Sequence, residues 1–213
     1  LVELPTQLST TAVLRLHDDP EAFAAELARP MPRQPSRSAR FGTRFHHWVE
    51  RYFSAQLPNG GLGQQQLLDL DDLPNRADSG TQDEQELREL CDAFAAGRFG
   101  SAVPYAIEAP FSIWIGGRLI RGRIDAVYPQ SAPSTSGQTR FQVVDWKTGR
   151  PESADPLQLA IYRLAWAEAQ GLAVEEIDAI FYHVRTDEIV RPKELPNRAA
   201  IESILSAQVE PLP

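Results

Sequence analysis

Two acidic residues and a lysine on neighbouring strand-like segments have the clearest potential for chemistry in this sequence. Residues 140–147 have the apolar composition of a strand, and they carry Asp145 and Lys147 on either side of Trp146. Strand side chains alternate between faces, so Asp145 and Lys147 are predicted to point the same way and Trp146 the opposite way. Asp125 lies on an earlier strand-like segment. A carboxylate for a divalent cation beside an ammonium for a phosphate or a water suits metal-dependent phosphodiester cleavage.

Two predicted helices add polar pairs at a spacing of four residues. On the helix predicted over 39–54, His46 precedes Glu50 by one turn, so the two side chains are expected to share a face. Gln158 and Tyr162 have the same spacing on a later predicted helix. Either pair alone could consist of ordinary surface or helix-packing residues. The evidence for a site is the combination of these pairs with the strands that carry the aspartates.

The elements that position these residues follow from hydrophobic periodicity and turn residues. They are predicted in this order: helices within 1–30, started by Ser9-Thr10 and Pro20; a basic extended linker over 32–40; helices over 39–54 and 82–96; a hairpin of 106–115 and 118–128 around Gly116-Gly117; a strand over 140–147; a helix from Asp155-Pro156 to Gly171; a strand over 178–184; and a helix over 196–208. This order predicts an α/β fold with a mixed central β-sheet flanked by α-helices.

Composition narrows the class of protein. The chain has 213 residues, 42% hydrophobic and 23% charged, which is typical of a globular protein with a substantial core. No apolar run is long enough for a membrane span, and no secretory signal is recognisable, so a cytoplasmic protein without membrane partners is expected. Because Cys91 is the only cysteine, an internal disulfide is excluded. Cys91 itself is predicted to pack in the core on a helix. Because Leu1 is not a methionine, we expect a piece of a longer polypeptide.

The formal net charge of −8 argues against strong binding of nucleic acid by this chain alone. A nuclease site is itself rich in carboxylates, but that accounts for only a few of the 29 acidic residues. We therefore expect DNA affinity to be supplied by another part of a larger protein. The alternative is a protein that never contacts nucleic acid.

The order of the polar residues closely resembles that of the RecB-type nucleases of the PD-(D/E)XK superfamily. Their pattern runs Gly-x-x-x-His-x-x-x-Glu, then Gly-x-x-Asp, then Asp-x-Lys-Thr-Gly, then Gln-x-x-x-Tyr. The matching positions, in order across 42–162, are Gly42, His46, Glu50, Gly122, Asp125, Asp145, Lys147, Thr148, Gly149, Gln158 and Tyr162. The N-terminal segment is similar to the C-terminal nuclease of bacterial UvrD-like helicase–nucleases, including the AdnAB type.

This resemblance implies a restriction-endonuclease-like core and a division of the chain. Residues 1–38 are interpreted as N-terminal helices and linker, and 39–213 as the nuclease domain with a mobile insertion at 57–82. Many relatives hold an iron–sulfur cluster with four cysteines, which a lone Cys91 cannot provide, so no such cluster is expected. The implied activity is a DNA exonuclease in double-strand-break repair and recombination. Its ATP-dependent helicase motor is expected in the same polypeptide outside this chain or in a partner subunit.

The resemblance also implies a Mg²⁺ or Mn²⁺ site, because its donors are mostly oxygens. Asp125 and Asp145 are expected to hold the cation, with the Trp146 carbonyl and the His46 ring completing the protein ligands. The spacing from the preceding glycine favours His46 over the adjacent His47.

Five residues are assigned to the reaction itself. Asp125 and Asp145 bring the cation to the phosphate, Lys147 orients a water or stabilises the charge of the transition state, and Gln158 and Tyr162 position the strand.

The roles of two acidic residues are open, and two alternative functions are retained. Glu50 is a candidate for a direct or water-mediated role, and Glu108, on the first hairpin strand, for an accessory acid. A stand-alone or Cas4-like exonuclease is the alternative enzyme. A catalytically inactive nuclease fold that binds DNA or a partner is the alternative from another class of protein.

Overall fold

The structure is a computed structural model that describes residues 3–30, 36–54, 81–130, 139–149 and 154–206. Its strands in these ranges are β1 (Gln7–Ser9), β2 (Ala106–Ile115), β3 (Arg118–Gln130), β4 (Arg140–Lys147), β5 (Ile177–His183) and β6 (Glu188–Val190). Its α-helices there are α1 (Thr10–Asp18), α2 (Pro20–Ala28), α3 (Arg37–Ser54), α4 (Thr81–Ala96), α5 (Pro156–Gln170) and α6 (Arg198–Ser206). A 3₁₀ helix, Val174–Glu176, leads into β5. None of the described helices combines the length and the apolarity that a membrane crossing needs.

The strands form one mixed sheet around the long strand β3. Hydrogen-bonded pairing connects β1 to β3, β3 to β4, β4 to β5 and β5 to β6, and β2 also pairs with β3. β2 runs antiparallel along most of β3, whereas β1 pairs in parallel with 119–121 only and β4 antiparallel with 126–130 only. β2 faces β3 at both of these stretches. β1 and β4 therefore lie on the same side of β3, one after the other.

Helices cover both faces of this sheet, which confirms the predicted α/β fold class. On one face, α5 packs against the sheet together with α1 and α6, in clusters that include Ile120, Ile161 and Ile201. On the other face, Phe45 of α3 and Phe94 of α4 lie in one cluster with Trp146, and the Phe94 ring contacts the Trp146 ring. Full burial of one such side chain stabilises a fold by about 1.5–3 kcal/mol relative to its exposure.

Several predicted elements are confirmed to the residue. β4 spans 140–147 as expected. The Asp155 side chain caps α5 by accepting a hydrogen bond from the Leu157 N–H at 2.9 Å, and Gly171 ends this helix in the left-handed conformation, with φ of 64°. Ser9 caps α1 by accepting a hydrogen bond from the Ala12 N–H.

The extended linker predicted over 32–40 is wrong for its second half. α3 already begins at Arg37, because the Ser36 hydroxyl accepts a hydrogen bond from the Ala39 N–H at 3.1 Å and starts the helix. The sequence pattern also missed β1 and β6. Each has three residues, too few for an alternating pattern, and each is defined by the strand it pairs with.

The N-terminal segment shares the sheet and the core of the remaining chain. β1 pairs with β3, and Val13 and Leu16 of α1 lie in the same cluster as α5. The division into 1–38 and 39–213 remains a prediction. The insertion expected at 57–82 falls outside the described residues up to the start of α4 at Thr81.

Candidate active site

The two aspartates lie at a gap in the strand pairing along one edge of β3. Residues 122–125 lie between the stretches of β3 that pair with β1 and β4. Asp125 is the last residue of this gap, next to Ala126, where pairing with Val144 of β4 begins. Asp145 directly follows Val144. The two carboxylates therefore lie where β3 and β4 separate, and both are buried.

Gly122 lets the chain pack closely at this gap. A Cβ atom at Gly122 would lie 2.5 Å from the Thr10 Oγ1 atom and 2.8 Å from the Phe111 ring. The Thr10 hydroxyl donates a hydrogen bond to the Arg121 carbonyl at 3.4 Å, which holds the first turn of α1 against β3. The glycine of the Gly-x-x-Asp motif is thus required by the close approach of α1 and β2 to this strand.

His46 of α3 meets two carboxylates above this gap. Its Nδ1 atom lies 3.0 Å from the Glu108 Oε1 atom and 3.6 Å from the Asp125 Oδ1 atom. One ligand atom from each of these three residues lies within 4.8 Å of the others. The other Asp125 oxygen, Oδ2, accepts a hydrogen bond from the Trp146 N–H at 2.8 Å, which fixes the carboxylate.

The backbone of Glu108 is strained in a way that directs its side chain into the cluster. Its φ of 47° lies in the left-handed region, which residues with a side chain adopt rarely and at a cost of about 1–3 kcal/mol. Ile107 packs with the helices α3 and α4, whereas Ala109 lies in the cluster around α5, so β2 changes face at this residue. The hairpin register places Glu108 opposite Asp125, between the pairs Ile107–Ala126 and Ala109–Ile124.

Lys147 connects the second aspartate to α5. Its Nζ atom lies 2.8 Å from the Asp145 Oδ2 atom and donates a hydrogen bond to the Gln158 Oε1 atom, also at 2.8 Å. The Gln158 amide donates in turn to the Tyr162 hydroxyl at 3.0 Å. The Lys147 ammonium also lies 5.1 Å from the centre of the Phe181 ring. The predicted orientation of this strand is confirmed, because Trp146 packs on the opposite face with α3 and α4.

Burial dominates the electrostatics of the two aspartates but not that of His46. It raises the pKa of Asp125 well above its usual value, and the charge of His46 only partly opposes it. Burial likewise raises the pKa of Asp145, against the opposing effect of Lys147. Burial alone would lower the pKa of His46, but the charge of Asp125 and the hydrogen bond with Glu108 outweigh it and raise the pKa to about 9.

This donor set fits a divalent cation of the Mg²⁺ or Mn²⁺ type. The carboxylates of Glu108 and Asp125 converge with the His46 imidazole, and the buried carboxylate of Asp145 lies on the neighbouring strand. Burial raises the pKa of both aspartates, so a bound cation would favour their ionised forms. Oxygen-rich sites with one imidazole suit such ions. Asp145 lies outside the tightest group of three, because its Oδ2 atom pairs with Lys147.

The structure brings together all but one of the residues singled out in the sequence. Glu50 does not join the cluster. Its carboxylate lies 3.6 Å from the Nδ1 atom of His47, which is on the exposed side of α3. Glu108, which the sequence suggested only as an accessory acid, takes the place beside His46. The turn at Gly116-Gly117 could have located it, because counting back along both strands sets Glu108 opposite Asp125.

Comparison with known proteins identifies the family of the chain. A sequence profile described as the PD-(D/E)XK nuclease superfamily matches residues 7–211. The chain belongs to the PD-(D/E)XK nuclease superfamily. This membership agrees with the mixed sheet, its flanking helices and the Asp145-Trp146-Lys147 segment beside Asp125. The chain is therefore a nuclease by family. No curated protein matches it significantly.

One solved structure supports the same fold. A candidate exonuclease from Eubacterium rectale superposes with a TM-score of 0.53 at 10% sequence identity, over 94% of this chain and 76% of that chain. At this identity the similarity concerns the fold alone. The structure of SSO0001 aligns with a TM-score of 0.37 at 17% identity, over 96% of this chain and 75% of that chain, which is too weak to bear on the fold.

Proposed function

We propose that this nuclease is a metal-dependent deoxyribonuclease. The observation that carries the proposal is the imidazole–carboxylate cluster in the gap of the sheet, with a lysine held beside it. The proposed protein ligands of its cation are the His46 ring, the carboxylates of Glu108, Asp125 and Asp145, and the Trp146 carbonyl. An inactive relative used only for binding would have no need for buried carboxylates whose ionisation is unfavourable.

The chain's own groups have separate tasks in this proposal. A bound cation would polarise a phosphate oxygen and lower the pKa of a water. The Trp146 N–H holds one oxygen of Asp125 and leaves the other directed towards His46. Asp145 and Gln158 fix the ammonium of Lys147 beside the carboxylates, where it stabilises negative charge that develops on the phosphate.

Tyr162 positions the substrate in this scheme. Burial raises the pKa of Tyr162, and the charges of Asp125 and Asp145 raise it further, so the hydroxyl stays neutral. It accepts the hydrogen bond from the Gln158 amide and keeps its own proton available for a phosphate or sugar oxygen.

The wider setting that we propose is an exonuclease module of a helicase–nuclease in double-strand-break repair and recombination. Two observations support it. The motif order from Gly42 to Tyr162 is similar to that of the RecB-type nucleases. The superposed protein of Eubacterium rectale is itself described as a candidate exonuclease. The predicted partners are DNA and a helicase motor, and the predicted ions are Mg²⁺ and Mn²⁺.

Metal dependence is the direct test of the activity. We expect the purified chain to degrade linear DNA with Mg²⁺ or Mn²⁺ and to lose all activity in EDTA, because the carboxylates and His46 need the cation to bring a phosphate to Lys147. Release of acid-soluble nucleotides measures the rate. Asp145→Ala, prepared in parallel, controls for contaminating nucleases. Full activity in EDTA, or equal activity of Asp145→Ala, would overturn the proposal.

The helicase setting has its own test. The complete gene product, tagged and purified from its natural host with any bound subunit, should degrade linear duplex DNA only when ATP is hydrolysed. A non-hydrolysable ATP analogue is the control. Metal-dependent degradation that is indifferent to ATP would favour the stand-alone or Cas4-like alternative and leave the nuclease assignment intact.

The two adjacent histidines should behave differently. His46→Ala should lower Mn²⁺ affinity by at least about tenfold, since loss of even an outer-shell partner costs about 10–100-fold in metal affinity. His47→Ala should leave affinity and cleavage close to wild type, because His47 faces Glu50 outside the cluster. Calorimetric Mn²⁺ titration of both variants measures this. A larger loss in His47→Ala would contradict the assignment.

A further inference from the structure

A cationic groove lies on the sheet face next to the candidate site, and neither the motifs nor the reaction accounts for it. It has a volume of about 340 Å³ and is lined by residues of β1, β2 and β3, among them Gln7, Ser9, Pro110, Arg121 and Arg123. Both arginine side chains are exposed. Neither guanidinium has a hydrogen-bond or ion-pair partner among the residues that the structure describes.

The arginines share their face with an exposed tryptophan. Ile113, Ile115 and Ile120 are buried on the side of the sheet that packs against α1, α5 and α6. The residues between them therefore project from the other side, where Trp114 is 60% exposed. The register pairs Ser112 with Arg121, so the tryptophan and this arginine are diagonal neighbours across the hairpin.

This face runs directly into the candidate site. Asp125 is two residues beyond Arg123 on β3, and Glu108 is two residues before Pro110 on β2. From the rise of a strand, Arg123 and Arg121 lie about 7 Å and about 13 Å from the aspartate along β3. The same rise places Trp114 about 20 Å from Glu108 along β2. The groove and the carboxylates thus form one continuous line.

Other arginines near the site are engaged differently. Arg37 and Arg44 of α3 form ion pairs with Asp83 and Glu84 of α4, so these two arginines are neutralised by acidic partners. Although the chain has a net charge of −8, Arg121 and Arg123 concentrate two positive charges beside the candidate site. Guanidinium groups match phosphate oxygens in geometry as well as in charge.

We infer that this face is the track along which a single-stranded polynucleotide reaches the candidate site, an inference that rests on the proposed function. Arg121 and Arg123 bind successive phosphates of the strand, and the Trp114 ring stacks on an unpaired base. A duplex keeps its bases stacked on one another and offers no free base face, so the exposed indole favours a single strand. Contacts of this kind carry no sequence information, which suits a nuclease that degrades any sequence.

Binding can be tested without cleavage. Fluorescence anisotropy in EDTA would follow binding of a fluorescein-labelled oligothymidylate of about 16 nucleotides, the upper site size of one single-strand-binding module. The variants are the double replacement Arg121→Ala with Arg123→Ala, Trp114→Ala, and Arg88→Ala as a control that removes one exposed arginine far along the chain, on α4. Thermal unfolding should be the same for all of them, because the replaced side chains are exposed.

Salt dependence gives the expected size of the arginine effect. Each phosphate contact on a single strand contributes about 0.7 to the slope of log affinity against log salt. Loss of two contacts lowers the slope by about 1.4, so between about 50 and about 200 mM salt the wild-type affinity should fall about sevenfold more than that of the double variant. Arg88→Ala should keep the wild-type slope. Equal slopes for the double variant and Arg88→Ala would overturn the track.

Variants of Trp114 give an independent test of the track. Trp114→Ala should weaken binding at least about fivefold, the lower end of the range for loss of one stacked base. Trp146 and Trp166 are buried and Trp48 stacks on Tyr52, so quenching of tryptophan fluorescence by the oligonucleotide should report mainly on Trp114 and should largely vanish in Trp114→Phe. A duplex that binds as tightly as the single strand, with no effect of Trp114→Ala, would also overturn the track.

The track and the nuclease proposal can fail separately. Metal-dependent cleavage by the wild-type chain, with unchanged binding in the double variant, would refute the track and leave the activity standing. Altered binding in the variants, with no cleavage under any metal, would refute the activity and leave a single-strand-binding surface.

Discussion

Asp125→Asn is expected to abolish DNA cleavage and, in the absence of metal, to raise the melting temperature of the chain. The loss of cleavage follows from removal of a charged ligand at the centre of the cluster. The gain in stability follows from burial, which raises the pKa of Asp125 because the folded state holds its ionised form poorly. The asparagine retains the shape and an oxygen for the Trp146 N–H without the buried charge.

The sign of the pH dependence is the same for the acids and for His46. Asp125 and Asp145 have raised pKa values in the folded state, so the metal-free fold loses stability as pH rises above the ordinary aspartate range. The contribution of His46 is fully present below pH 6.5 and is lost as pH rises through about 9. The advantage of Asp125→Asn in EDTA should therefore be small at about pH 5 and larger at about pH 8.

Thermal unfolding in EDTA at several pH values measures this effect, and a change of 1 kcal/mol moves the melting temperature of such a chain by about 2–4 °C. Asp178→Asn is the matched control, for which the melting temperature is expected to change in the opposite direction. Burial favours protonation of Asp178, but the hydrogen bonds from Gln142 and Arg191 outweigh it and lower its pKa, so its asparagine variant should melt earlier. Mn²⁺ should raise the melting temperature of the wild type but not that of Asp125→Asn. A lower melting temperature of Asp125→Asn in EDTA at about pH 8 would show that its charge stabilises the metal-free fold.

The sequence predicted the parts of the site that depend on local pattern. The alternation of β4 fixed the common orientation of Asp145 and Lys147, and helical spacing placed Gln158 and Tyr162 together. Asp155 and Gly171 marked both ends of α5, because capping is local chemistry. Local rules of this kind need no knowledge of the rest of the chain.

The features that the sequence missed depend on contacts between distant segments. β1 has three residues and exists because β3 offers an edge there, and this pairing creates the gap that holds Asp125. Glu108 enters the cluster only through a left-handed backbone that no local pattern of the segment favours. The weak DNA binding expected from the net charge stays a prediction, but the net charge does not show which arginines find acidic partners in the fold. Nothing in the sequence marks Arg121 as an arginine without an acidic partner among the described residues.

Lys147→Ala is expected to reduce cleavage by at least about 10²–10³-fold, the usual cost of removing one group that stabilises transition-state charge. Mn²⁺ affinity should not fall, because the ammonium is not a ligand. It should rise, since the variant frees the buried Asp145 carboxylate from its ion pair at 2.8 Å. Asp145→Ala should lose both cleavage and metal affinity. The two variants should thus change metal binding in opposite directions, although cleavage falls strongly in both.

The chain contains only one other lysine, Lys193, which is exposed and supplies the matched control Lys193→Ala. Calorimetric Mn²⁺ titration and nucleotide release under identical conditions separate the roles of the residues. Gln158→Ala should give an intermediate loss of cleavage, because it releases one of the two polar contacts that hold the Lys147 ammonium. A fall in Mn²⁺ affinity in Lys147→Ala as large as that in Asp145→Ala would mean that the lysine organises the metal site, and the division of roles between the two residues would be wrong.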